Sequence, residues 1–223
     1  MSAVLQWKNL TLGHEIMPAS QISGSEHVRL VMDFSHQYSC LDHIFASDKF
    51  SQTAPWKMWL NSDGERHQLG SPGFIRRIGS LIRQHGLIAN LSMKENLLLP
   101  FLYRNEKQAL QQAEQELGHV AERLGISSCL YEQAGHRTAL THALISLGRC
   151  LLSKPDFIVA QEVHICMPPD HLERFKTISL AALADLDCGL LYLTGSPNDG
   201  SDLNFTKTLY MQQPSSAHGG AQA

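Results

Sequence analysis

This sequence predicts an α/β fold built on a parallel sheet, and three observations carry it. In the last third, helical and strand patterns alternate with short connections, the order that lays parallel strands side by side. In the middle, apolar residues recur at the spacing of one helix face. In the first third, short runs between turn residues read as strands, so a β-rich part precedes the rest.

Leu5 to Leu12 (LQWKNLTL) alternates enough for a strand, and Val28 to Met32 (VRLVM) predicts a short buried one. A third, Trp56 to Leu60 (WKMWL), ends at the turn residues Asn61-Ser62-Asp63-Gly64. Ile75 to Ile82, with Ile78, Leu81 and Ile82 as its apolar members, is a fourth candidate. Asn105, with Gln108 three residues on, resembles a capping box opening a helix. Leu110, Ala113, Leu117, Val120 and Leu124 then follow three and four residues apart in turn, and Gly125 stands where a helix stops. That stripe predicts core packing. Leu140, Leu144, Leu147 and Leu151 mark a second helix that ends before Lys154-Pro155. Phe157 to Ala160 (FIVA) reads as a buried strand, Asp170 as the cap of a helix through Leu172, Phe175, Leu180 and Leu183, and Gly189 to Thr194 (GLLYLT) as another buried strand. Residues 213–223 (QPSSAHGGAQA) read as a flexible tail.

Composition excludes several classes. The 223 residues are 43% apolar and 17% charged, too apolar for a disordered chain and long enough for a sizeable core. Eighteen Lys and Arg against twenty-one Asp and Glu leave a formal charge of −3, so no polybasic nucleic-acid surface is expected. No apolar run is long enough for a membrane-spanning helix. The start, MSAVLQWKNLTLGHE, lacks the basic and apolar regions of a secretory signal, which predicts a cytoplasmic protein. Five scattered cysteines without a C-x-x-C pair do not suggest a disulfide framework or a zinc site. Twelve histidines include no H-E-x-x-H, so no metal centre is expected.

Three segments, in order, carry a family resemblance over roughly residues 3–212. Leu87 to Pro100, LIANLSMKENLLLP, resembles the stretch after the Q-loop of ATP-binding-cassette (ABC) ATPase subunits, nearest to those of bacterial lipid-trafficking transporters, where GLISNLTVxENVxLP is typical. LLSKPDFIVAQE, Leu151 to Glu162, resembles the Walker B strand, ALxxxPxLLLLDE. ISGSEHVRLVM, Ile22 to Met32, resembles the approach to the phosphate loop. The resemblance implies a RecA-like P-loop NTPase core with a β-rich N-terminal part and a helical subdomain inserted at about residues 87–150.

The family's catalytic positions are mostly replaced. A phosphate loop needs glycines to turn backbone N–H groups toward phosphate, a lysine, and a hydroxyl for magnesium. Laid over this chain it gives MDFSHQYSC, Met32 to Cys40: no glycine remains, Tyr38 stands for the lysine, Asp33 adds negative charge, and Ser39 alone is kept. The Walker B aspartate is the neutral Gln161, a poorer partner for a hard dication, and Glu162 keeps the place of the glutamate that polarises water. The signature LSGGQ maps onto Arg137 to Thr141; Thr138 keeps a hydroxyl, while Ala139 and Leu140 replace the glycines. Pro168 takes the D-loop aspartate's place and Gly195 the switch histidine's. At the Q-loop the glutamine's place falls on Arg83 or, with a one-residue shift, on Gln84.

Phosphoryl transfer depends on electrostatic placement, so so many losses predict a pseudo-ATPase that holds neither ATP nor magnesium. What the resemblance leaves is the groove that receives a membrane subunit. Arg83, Gln84, Leu87, Leu99 and Phe101 are its candidate lining, and Arg76, Arg77 and Arg104 flank it, available to acidic groups of a partner. The expected role is a non-hydrolysing subunit docked on a permease-like membrane protein, peripheral to the inner membrane, as a homodimer or beside an intact cassette. Two alternatives stand: an active subunit binding ATP and magnesium through His36, Gln37, Tyr38 and Ser39, or a soluble scaffold that kept the fold without transport.

Overall fold

Five parallel strands form the spine of the molecule, and two wholly buried ones make its centre. The computed structural model describes residues 3–8, 10–12, 14–45, 57–82, 86–163 and 167–212. Strands are numbered along the chain. Every residue of β9 (Phe157–Gln161) and β10 (Gly189–Thr194) is buried, because both faces of the sheet are covered. They pair with each other; β10 also pairs with β5 (His27–Val31), which pairs in turn with β11 (Lys207–Tyr210), and β9 with β8 (Ile78–Ile82), in the order β11-β5-β10-β9-β8. The expected buried strands at Val28, Phe157 and Gly189 are therefore neighbours.

An antiparallel sheet of order β4-β1-β6-β7 joins β1 (Val4–Lys8), β4 (Ser20–Ser23), β6 (Lys57–Ser62) and β7 (Glu65–Gln68). The strand expected over Leu5 to Leu12 divides. Val4–Lys8 pairs with β4 and β6, whereas β2 (Leu10–Leu12) turns to pair with β3 (Glu15–Met17), so pairing partners override the continuous alternation. Trp56 lies outside the described residues. β6 runs on past Leu60, because Asn61 and Ser62 pair with Arg66 and Glu65 across a two-residue turn at Asp63 and Gly64, both at positive φ.

The strand expected from Ile75 begins only at Ile78. Ser71 caps a short helix, α2 (Pro72–Arg76), with Pro72 at its first position, and that start signal captures Ile75 and Arg76. Upstream lies α1 (Phe34–Phe45). The capping box forms at α3 (Met93–Tyr103), where Ser92 accepts from the Glu95 amide and Glu95 accepts from the Ser92 amide. Asn105 is not a cap. It sits at φ +55° in the tight link after α3, and α4 (Lys107–Arg123) starts behind Glu106 with no side-chain cap. The expected stripe does face inward: Ala113, Leu117, Val120 and Leu124 are buried, Leu110 partly, and Gly125 ends the helix at φ +65°. Thr138 caps α5 (Ala139–Ser153), which ends at Lys154 in the left-handed region before Pro155. α6 (Pro169–Ala184) begins at Pro169, so Asp170 lies in its first turn and Pro168 at the cap position.

Two apolar layers sandwich the parallel sheet. Leu81, Ile158, Ala160, Leu190 and Tyr192 face α3 to α6. Val28, Leu30, Val159, Leu191 and Leu193 face α1 and the antiparallel sheet, packing with Leu5, Trp7 and Leu60. α3, α4 and α5 pack on one another, and α5 also lies on β8. Among the described residues no helix is long and apolar enough to cross a membrane. The expected tail, 213–223, lies outside the described residues.

Candidate functional site

In an open parallel sheet a ligand takes the crevice beyond the carboxyl ends of the strands. Here that place lies beyond β5, β9 and β10, beneath the start of α1. β5 ends at Val31, and after Met32 and Asp33 the chain is already helical, the amides of His36 and Gln37 both donating to the Asp33 carbonyl. Most of the segment that matches a phosphate loop is therefore the first half of a helix.

The side chains follow from that geometry. Ser39 donates its hydroxyl to the Ser35 carbonyl at 3.2 Å, a back-bond within its own helix. Tyr38 stacks edge-on against Phe34, with ring centroids 4.7 Å apart. Gln37 points inward and is wholly buried. Its Nε2 donates to the Met32 carbonyl and to Glu162 Oε1, both at 3.3 Å, while its Oε1 accepts from Gln161 Nε2 at 3.1 Å.

Glu162 stands just past β9 at φ +30°, a backbone region that side chains other than glycine rarely occupy. Its Oε1 accepts from the Gly195 amide at 2.6 Å and from the Thr194 hydroxyl at 3.2 Å, besides Gln37. Thr194 also lies 3.0 Å from Asp199 Oδ2, which accepts the Tyr192 hydroxyl at 2.8 Å. Burial, and then the Asp199 carboxylate, push the Tyr192 phenol well above its ordinary range, so it stays a donor. The buried Glu162 carboxylate is tolerable because three neutral groups donate to its Oε1.

The structure thus brings Gln161, Glu162 and Gly195 together with Gln37 and Thr194. Gln37 entered the sequence reading only under the ATP-binding alternative, and Thr194, Asp199 and Tyr192 did not enter it as site residues. The legible signal was a polar pair, Gln161 and Glu162, closing an apolar strand. Thr138 is engaged elsewhere: its hydroxyl accepts from the Thr141 amide at 3.3 Å as the cap of α5.

The groove candidates separate. Arg83 and Gln84 lie outside the described residues. Leu87 and Leu99 are half-buried, but Phe101 is buried among the helices and belongs to the core, as do Leu97 and Leu98. On the same stretch Ile88 (42%), Leu102 (50%) and Tyr103 (91%) are exposed. The flanking arginines are paired within the chain. Arg76 meets Glu106 at 2.8 Å, Arg77 meets Asp63 at 2.7 Å and Asp156 at 3.0 Å, and Arg104 donates to the Ile75 carbonyl.

The fold is the one found in ATP-binding cassettes of ABC transporters, a P-loop NTPase fold. Known structures agree: the chain superposes with a TM-score of 0.68 on cbiO1 from Clostridium perfringens, part of the ABC transporter complex cbiONQ, at 11% identity, covering 96% of this chain and 86% of that one. For MJ1267, an ATP-binding cassette of an ABC transporter in its ADP conformation, the TM-score is 0.60 at 16% identity, covering 86% and 81%. For an ATP-binding subunit of an ABC transporter it is 0.69 at 13% identity, covering 94% and 86%. In sequence, the chain is 27% identical over 164 residues to the lipoprotein-releasing system ATP-binding protein LolD of Acinetobacter baylyi, a match covering 69% of this chain and 65%, just under two thirds, of that protein. No family model matches the chain.

Proposed function

We propose that this chain is a cassette subunit of a bacterial transport system that has given up hydrolysis and acts by docking on a permease-like membrane protein, in a structural or regulatory role. The observation that carries the reading is the buried cluster of Gln37 and Glu162 where the fold would otherwise seat a triphosphate. Magnesium and ATP do not fit these residues. No lysine stands at the Tyr38 position, the magnesium carboxylate is replaced by Gln161, and Ser39 spends its hydroxyl on its own helix. Glu162 spends its Oε1 on the Gly195 amide, the Thr194 hydroxyl and Gln37. The likeness to LolD supports a transporter context, and the exposed Ile88, Leu102 and Tyr103 offer an apolar surface on the helical part.

On this reading the protein sits at the cytoplasmic face of the inner membrane, held by its partner, as a homodimer or beside an intact cassette, with no nucleic acid involved. The experiment pairs two measurements. The purified chain is expected to show no ATP turnover, and the chain expressed in its own cell is expected to co-purify with an integral membrane protein. Turnover at a rate usual for cassettes, abolished by Glu162→Gln, would refute the reading, as would recovery in the soluble fraction with no membrane protein attached.

A further inference from the structure

We propose that Gln37 closes from within the crevice where a parallel α/β sheet ordinarily takes its ligand, so that side chains, instead of a bound group, join the ends of β5, β9 and β10 to α1. The inference rests on the non-hydrolysing reading and deepens it by assigning the closing residue.

One carboxamide reaches every neighbouring element. Gln37 is anchored in α1; its Nε2 meets Met32 at the end of β5 and Glu162 past β9, and its Oε1 meets Gln161, the last residue of β9. Glu162 carries the connection to the end of β10 through Thr194 and the Gly195 amide. The donors and the acceptor of Gln37 are all in use, and the side chain has no contact with solvent. A phosphate entering here would have to expel Gln37, unwind the first turn of α1, and lie against the Glu162 carboxylate with no lysine to offset its charge. The closed state has no such cost. Nothing outside the chain is needed to complete it.

Hydrogen–deuterium exchange on the full chain tests this at two places, the Gly195 amide and the first turn of α1. Each is followed with and without millimolar Mg-ATP. Gln37→Met keeps nearly the same volume but removes both the donor and the acceptor. In the unmodified protein, Mg-ATP is expected to leave exchange unchanged at both places. In Gln37→Met, Gly195 is expected to exchange roughly tenfold faster while the far-ultraviolet circular dichroism stays native. Gln37→Asn, one methylene short of the bonding distance, is the second variant and is expected to behave likewise. Unchanged Gly195 exchange in a folded variant would overturn the closing role and leave the non-hydrolysing reading standing. Slower exchange of the α1 turn on adding Mg-ATP to the unmodified protein would overturn both.

Discussion

Asn96 does for the helical layer what Gln37 does for the sheet. Wholly buried in α3, it donates to the carbonyls of Ile88, Leu91 and Ser92, and its Oδ1 accepts from the Ile88 amide at 2.9 Å and from Arg149 at 3.2 Å. Arg149 on α5 also donates to the Asn96 and Gly86 carbonyls, and burial lowers its guanidinium to about 10. The loop from Gly86 to Ser92 is thereby held by side chains in addition to the backbone bonds that its Ala89 and Leu91 carbonyls accept from Gly135 and Ala134. Asn96→Ala strands several of these groups and is expected to cost about 2 kcal/mol in chemical denaturation. Residues of this kind are hard to read in a sequence. Glu162 was legible because it closes an apolar strand, but Gln37 and Asn96 look like ordinary helix-surface amides until distant strands or a distant arginine are brought against them.

At the scale of elements, the capping box of α3 invites a direct test. Ser92→Ala is expected to lower stability by about 1 kcal/mol, read as a drop in the thermal midpoint. Hydrogen bonds from the Ser92 hydroxyl and amide hold the Glu95 carboxyl below its ordinary range. A carboxylate depressed in the folded state contributes its stability above its unfolded pKa and loses it as pH falls through the folded one. The amides in the first turn of α3 are therefore expected to lose protection as pH falls, when each rate is compared with the intrinsic exchange rate at that pH, an effect that Glu95→Gln removes. Elements whose local signals and burial agree were legible: β9, β10, the stripe of α4, and the stop of α5 before Pro155. β4 and β7 were not, because SQIS and ERHQ are polar edge segments that owe their strand conformation to pairing with β1 and β6. Asn105 misled because an Asn in the left-handed region and an N-cap Asn look alike in sequence.

The whole molecule is two apolar layers divided by one sheet, and two cysteines mark them separately. Cys40 lies in the layer with α1 and Cys150 in the layer with α5; burial raises each thiol to about 12. If the shared sheet makes the layers one cooperative unit, pulse alkylation should find both thiols inert in the native protein and both reactive at the same urea concentration. Separate midpoints would mean that the layers unfold independently. Gly148 tightens one of them: a Cβ there would come within 2.5 Å of Leu97, so Gly148→Val is expected to cost several kcal/mol in denaturation. The parallel order of the sheet was foreseeable from alternating helices and strands, whereas the pairing of β1 with both β4 and β6 was not, since it joins segments far apart in the chain. One such distant pairing matters in handling the protein. Ile16 in β3 and Gln212 exchange both backbone hydrogen bonds, at 2.8 and 2.9 Å, and Glu15 beside it meets His36 of α1 at 3.2 Å. A reporter or affinity handle spliced in ahead of position 212 would unzip this clasp and slacken the hairpin against α1; one added after it would leave the clasp shut.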